Sequence, residues 1–334
     1  MYIISSYSLA VFFCIITMLC WGSWGNTQKL AAKTWRYELF YWDYVIGIVL
    51  LSVVFGFSLG SMGEQGRSFT TDLAQVSSDN LWSAILGGVI FNASNILLSA
   101  SISIAGMAVA FPVGVGLALV LGVVLNYNSA SKDDPIILFS GVALIVVAII
   151  LNGIASGKMS AGGKKSSSKG IWLAVIAGVL MSFFYRFVAA AMDVNNFESP
   201  TPGMMTPYTA FFVFAMGMLV SNFLFNTVIM RKPFVGSPVT YKDYFSGSFG
   251  THLVGVAGGL IWGLGTVLSY MSAGKAGAAI SYALGQGATM VAAFWGVFIW
   301  KEFRGAGPRV NVLLFFMFLL FISGLALIIV SGGN

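Results

Sequence analysis

Ten apolar stretches, each close to the length that crosses a bilayer, fill almost the whole chain. They run at about 8–28, 40–60, 81–102, 104–126, 135–155, 171–191, 205–228, 252–273, 278–300 and 311–331. A bilayer's hydrocarbon core asks for about 20 apolar residues per helix. A water-soluble fold of 334 residues could not hide this much apolar surface. Residues AVILMFWYC make up 58% of the chain and DEKR only 8%, against roughly 25% charged in a soluble domain. The expected fold class is an all-α polytopic membrane protein with ten transmembrane helices.

The charges report orientation. The net charge of +6 is scattered over short loops, so nucleic acid is not an expected partner; the lipid bilayer is. In alternate loops, Lys29, Lys33, Arg36, Lys158, Lys164, Lys165, Lys169, Arg231, Lys232, Lys242, Lys301, Arg304 and Arg309 stand against only Arg67, Lys132 and Lys275. The positive-inside rule puts the first set in the cytoplasm. Both termini are then non-cytoplasmic, in the cell (inner) membrane. The other loops collect Glu64, Asp72, Asp79, Asp133, Asp134 and Glu198. The first segment is too long, and lacks the basic flank, for a cleavable signal peptide. Cys14 and Cys20, six apart in that segment, read as apolar core residues, not as a disulfide or metal pair.

The chain repeats itself. An offset of 171 residues lays 87–116 on 258–287 with ten of thirty positions identical, among them Gly87/Gly258, Gly88/Gly259, Gly106/Gly277, Gly114/Gly285 and Gly116/Gly287. The basic stretch SGKMSAGGKKSSSKG (156–170) divides the chain. The expected organisation is a five-helix repeat over 1–156, a cytoplasmic linker over 157–170 and a second five-helix repeat over 171–334. Five is odd, so the second copy enters the bilayer inverted. Inverted repeats mark secondary transporters, with the solute site near the midplane.

Polar groups inside hydrocarbon need a reason. Asn92 and Asn95 fall mid-span three, Gln286 mid-span nine, and Asn26 and Gln28 near the inner end of span one. Amides bind hydroxyls, amides and ureas without a charged ligand; they also serve to bond neighbouring helices. Trp24, Trp262, Trp295, Phe111 and Tyr282 lie deep enough to offer an aromatic face, or to pack the core. Pro112, Gly114, Gly116, Gly285 and Gly287 are helix breaks at matched places, a pointer to a transporter site. Arg186, in FFYRFVAA, either lines a solute path or snorkels outward. Asp43, in YWDY, either carries a coupling proton or is a helix-end acid paired with Lys29. His252, the only histidine, opens span eight. No metal signature or catalytic set is present; AGGKKS misses the phosphate-loop spacing. No cofactor, no metal and no enzyme activity are expected.

Several segments resemble the drug/metabolite transporter superfamily, within it the glucose/ribose porter group, and are most similar to ureide permeases and rhamnose–proton symporters. These are residues 250–307 with FWGVFIWKEF (294–303), LFYWDYVIG (39–47), DNLWSAILGGVIFNASN (79–95), YTAFF (208–212) and LNYN (125–128). The resemblance implies ten helices in two inverted halves and uptake of small polar solutes, commonly with protons. It carries Asp43, Asn95 and the segment around Gln286 over as functional positions. The leading expectation is proton-coupled symport of a small neutral polar solute: a monosaccharide, nucleoside or ureide. The substrate-binding set is Asn92, Asn95, Gln286, Trp262, Tyr282 and Trp24, with Asp43 and Arg186 for coupling or path. Alternatives are a metabolite exporter or exchanger, and a membrane-embedded enzyme or sensor.

Overall fold

The computed structural model describes residues 1–127, 134–160 and 168–332. Lys132, Asp133, linker positions 161–167 and Asn334 lie outside that set. The described residues are helical, with one isolated bridge between Met192 and Met205. In order the helices are α1 (Tyr7–Ser23), α2 (Gly25–Ala31), α3 (Tyr37–Phe57), α4 (Phe69–Gln75), α5 (Ser78–Ala105), α6 (Met107–Ala110), α7 (Gly116–Asn126), α8 (Pro135–Ser160), α9 (Ser168–Ala191), α10 (Pro207–Arg231), α11 (Tyr241–Phe245), α12 (Phe249–Ala276), α13 (Ala278–Gln286), α14 (Ala288–Phe294) and α15 (Pro308–Ser331).

Among the described residues, nine helices are long and apolar enough to cross a membrane. Two of these are composites: α1 with α2, joined through Trp24, and α13 with α14 and the following turn to Ile299. The tenth expected span is a shorter apolar helix, Phe111–Asn126, with α6 ahead of it. The protein is thus a multi-pass α-helical membrane protein. The loops expected at 61–80 and 229–250 each hold a short helix, α4 and α11. Seven and five residues of mixed polarity carry no spanning signal, which is why the sequence reading passed over them.

Local chemistry sets the ends of α5 and α12 in the same register. Ser77 caps α5 by accepting from the Asn80 N–H, and Ser248 caps α12 by accepting from Thr251. Both satisfy orphan donors of a helix start. The far ends stop at Gly106 and Gly277, with φ of +81° and +78° and extended ψ. This region is open to glycine almost alone. The next helix begins at the following residue in each case, so the chain turns a corner with no loop. All four positions obey the offset of 171.

Packing follows that register too. α5 lies against α9 and α10, and α12 against α1 and α3; α8 and α15 pair at the side. A side chain at Gly88 would collide with the Phe214 carbonyl, and one at Gly259 with the Tyr44 carbonyl. Small residues let these backbones meet, as membrane helices require when lipid is as apolar as any side chain. Large apolar residues such as Phe57, Val220 and Phe223 point outward, toward where lipid would lie.

The expected breaks fall where the spans lose regularity. Pro112 lies in a π turn, Phe111–Val115, that ends against Gly116. Proline removes one ladder donor, and such turns gather at functional sites. In the second half α13 stops at Gln286 and α14 resumes after Gly287. Gly116 and Gly287 again differ by 171. Gly114 and Gly285 are tight contacts: a Cβ would lie 3.0 Å from Leu98 at the first and 2.7 Å from Trp21 at the second.

Candidate functional site

The two broken spans face a closed cavity in the bundle interior. Trp21 and Trp24 of the α1–α2 span, Phe91 and Asn95 of α5, Phe111, Phe184, Trp262 and Gln286 line it. The walls are mainly aromatic. Phe91 stacks on Trp262 at 4.3 Å between ring centroids, and Trp21 lies nearly parallel to Trp262 at 5.9 Å. Trp24 packs on Tyr44 at 4.9 Å and on Phe111 at 6.3 Å. Trp21 is fixed by its indole N–H, which donates to the Thr266 hydroxyl at 3.1 Å.

Asn95 is the polar feature of this aromatic box. It is 1% exposed, and neither amide atom has a hydrogen-bond partner. The hydroxyls of Tyr41 and Tyr44 stand beside it, but neither closes a hydrogen bond of proper geometry. Tyr41 instead donates weakly to the Asn92 carbonyl at 3.4 Å, and the Tyr44 oxygen is unmatched. A buried polar group without a partner costs about 1–3 kcal/mol. The cavity volume is ≈ 20 Å³, room for about one water. The site is closed around little more than its own polar groups.

Four sequence-expected residues, Trp24, Asn95, Trp262 and Gln286, meet here. Two do not. The Asn92 amide donates to Ser221 at 2.9 Å, tying α5 to α10. Tyr282 touches Gln286, but its hydroxyl reaches the carbonyls of Ala118 at 3.1 Å and Met181 at 3.3 Å, bracing three helices. Trp21, Phe91 and Phe184 were missed. The chain has 28 phenylalanines and nine tryptophans, and only tertiary contact selects among them. Arg186 is exposed on α9, among outward-facing residues such as Phe183, and does not line the cavity.

Asp43 lies at one end of the bundle, 2% exposed. Its partner is not Lys29. The Tyr244 hydroxyl donates to it at 2.6 Å, and His252 Nδ1 lies 2.9 and 3.0 Å from its two oxygens. Lys29 pairs instead with Glu302 at 2.5 Å and sits over the Trp300 ring at 4.4 Å. Trp35 closes over His252 edge-on at 5.2 Å between centroids. Tyr244 reaches the acid because α11 is anchored by a capping box between Thr240 and Asp243. The Thr240 hydroxyl and backbone N–H hold the Asp243 carboxyl below its ordinary value. Burial, then the Asp43 carboxylate, pushes the Tyr244 hydroxyl well up, so it stays a donor. A lone histidine at the start of a span was the available signal, since ionisable groups at membrane depth are rarely idle.

At the opposite end, the segments 61–77 and 192–206 are knit together. Arg67 pairs with Asp72 at 2.8 Å and donates to the Pro200 and Met204 carbonyls, each at 2.6 Å. Asp72, fully buried, also accepts the Thr206 N–H at 2.7 Å. No group of three or more metal-ligating side chains occurs among the described residues.

A multi-pass bundle closing on two buried amides and a set of indoles has the build of a transporter of small solutes. The chain belongs to the ureide permease family, whose family description matches residues 40–169 and 162–331. It is similar to ureide permease 2 of Arabidopsis thaliana, 25% identical with all of both chains covered. Ureide permease 5 of the same plant is 26% identical over all of this chain and 96% of that one. A probable glucose uptake protein of Priestia megaterium is 24% identical over 70% of each chain. A solved crystal structure shares the fold, with a TM-score of 0.57 at 16% identity, covering 95% of this chain and 97% of that one. The chain is therefore a membrane transporter and not an enzyme.

Proposed function

We propose that the protein is a secondary active transporter that takes up a small neutral polar solute together with protons. The solute is a monosaccharide, a nucleoside or a ureide. The observation that carries this reading is Asn95, buried with donor and acceptor both unmatched in an aromatic cavity shared with Gln286. A neutral solute with N–H, O–H and carbonyl groups supplies the missing partners, and its flat or apolar face lies on Trp262, Phe91 or Trp24. The names of relatives support the same range: ureide permeases, a glucose uptake protein and a putative ribose uptake protein.

The bundle works as two inverted five-helix repeats, 1–156 and 171–334, joined by the linker 157–170. The shared register of Ser77/Ser248, Gly106/Gly277 and Gly116/Gly287 supports this. The basic end faces the cytoplasm and both termini face away from it, as the lysine and arginine bias requires. Asp43 carries the coupling proton. Its burial in contact with the His252 ring and the Tyr244 hydroxyl supports that role. Arg186, exposed on α9, is left a place at the lipid-facing surface.

The test is uptake of a labelled panel (glucose, ribose, a nucleoside, allantoin, uracil) into cells expressing the protein, with and without an uncoupler. Accumulation of one solute that collapses with the uncoupler is expected. Net extrusion of preloaded solute would favour the exporter reading, and no movement of any solute would remove the assignment.

A further inference from the structure

A second cavity opens at the basic end. It has a volume of ≈ 450 Å³ and is lined by Gln28, Lys33, Trp35, Ser103, Met107 and Glu302 among others. It stands on the same three strands of chain as the closed cavity. Gln28 follows Trp24 by one turn. Met107 precedes Phe111 by one turn. Ser103 lies two turns beyond Asn95 on α5. Only a thin partition separates the two spaces. A Cβ on Gly25 would meet Met107 at 3.1 Å and Phe111 at 3.2 Å, so both side chains rest on that glycine.

The partition is polar on one face. Asn95, Ser99 and Ser103 recur at four-residue spacing and so form a stripe along one face of α5, from the deep cavity to the open one. Gln28 donates its amide N–H to the Ser99 carbonyl at 2.9 Å. Its oxygen has no partner although the residue is 3% exposed, and the fully buried Ser99 hydroxyl has none either. Buried polar atoms are nearly always matched. The unmatched Gln28 oxygen, on a residue that lines a cavity large enough for a small solute, points to a polar ligand there, with the unmatched Ser99 hydroxyl in the partition behind it. The charges around the opening are mostly spent: Lys29 is paired with Glu302, and Arg36 with Glu38. Among the described lining residues, Lys33 is the one charged side chain without an ion-pair partner. That suits a neutral ligand better than a strongly anionic one.

We propose that Gln28 and Ser103 form a second binding station for the transported solute, on the basic-end side of the Met107–Phe111–Trp24 partition. This rests on the transport reading above. The Gln28 oxygen accepts an N–H or O–H of the solute as it leaves Asn95. The Ser103 hydroxyl serves its carbonyl or hydroxyl groups, and the Ser99 hydroxyl continues the polar stripe toward Asn95. Movement of Met107 and Phe111 off Gly25 joins the two stations.

The test uses the full-length protein in proteoliposomes, with labelled allantoin, uracil, glucose and ribose offered separately to each end. Gln28→Met keeps the side-chain length and removes the acceptor. It should raise the half-saturation concentration at the basic end several-fold relative to that at the opposite end. Asn95→Ala should raise both. Equal shifts at the two ends, or none, in Gln28→Met overturn the second station. An independent readout survives if Gln28→Met folds poorly. With Cys14 and Cys20 replaced by alanine, Ser103→Cys should react with a maleimide, and the transported solute should slow that reaction even with Asn95→Ala added. Absence of protection in that background also overturns it. A parent chain that moves none of the four solutes overturns the transport reading, and the station with it.

Discussion

Asn95 and Asn92 sit three residues apart on one helix and do different work. Asn92 spends its amide N–H on Ser221 across a helix contact; Asn95 spends nothing on the protein. A lost hydrogen bond to a neutral group weakens binding by about 0.5–1.5 kcal/mol. Asn95→Ala should therefore raise the half-saturation concentration several-fold while thermal stability in detergent holds or rises. Asn92→Ala should lower the melting temperature instead. If both variants transport and melt like the parent, the site lies elsewhere. Asp43 tests coupling. Asp43→Asn keeps a partner for Tyr244 and His252 but carries no proton. It should abolish accumulation against a gradient and leave downhill exchange intact, measured as counterflow in proteoliposomes. Accumulation that persists makes Asp43 a helix-end acid only. Residue type and depth made Asn95, Gln286, Trp24 and Trp262 legible in the sequence. The Asp43–His252 contact was not, because it joins positions 209 apart that only the bundle brings together.

Spans are legible because the bilayer imposes a length and a solvent on each. Their ends were read less well: the caps Ser77 and Ser248 start α5 and α12 at Ser78 and Phe249, three residues ahead of the expected 81 and 252. What escaped was the pair of short helices α4 and α11, which carry no spanning signal and whose places are set by contacts with distant segments. α4 is held through Asp72 by Arg67 and Thr206; α11 is held through Tyr244 by Asp43. The loopless corners at Gly106 and Gly277 give a sharp prediction. Their φ near +80° with extended ψ costs a residue with a Cβ about 1–3 kcal/mol. Gly106→Ala and Gly277→Ala should each lower the melting temperature measured by intrinsic fluorescence. Gly250→Ala is the control: a Cβ there meets nothing within 4 Å and φ is not positive. It should be neutral or stabilising, since glycine costs a helix up to about 1 kcal/mol. Equal effects at all three positions would mean that the corners are relaxed.

At the scale of the whole molecule the two ends of the bundle differ in kind. One is closed by Arg67 and Asp72 binding across the segments 61–77 and 192–206; the other is open as far as the Met107–Phe111 partition. Removing one member of a buried pair leaves the other uncompensated and costs about 3–5 kcal/mol when burial is complete. Arg67 is partly exposed, so Asp72→Ala should cost less than that, and should loosen this end before the core. Faster hydrogen exchange confined to 61–77 and 192–206 is the expected result; unchanged exchange there would show that the latch carries no weight. The proposed orientation rests on charge alone. Arginine and lysine resist translocation, and the alternation of spans in the sequence assigns thirteen of them to one side against three to the other. Ser237 and Ser199 are exposed in loops of the basic and the acidic end respectively. In a chain with Cys14 and Cys20 replaced by alanine, Ser199→Cys should be labelled by an impermeant maleimide added to intact cells, and Ser237→Cys only after lysis. The reverse pattern would invert the molecule, and would make the open end the side from which solute enters.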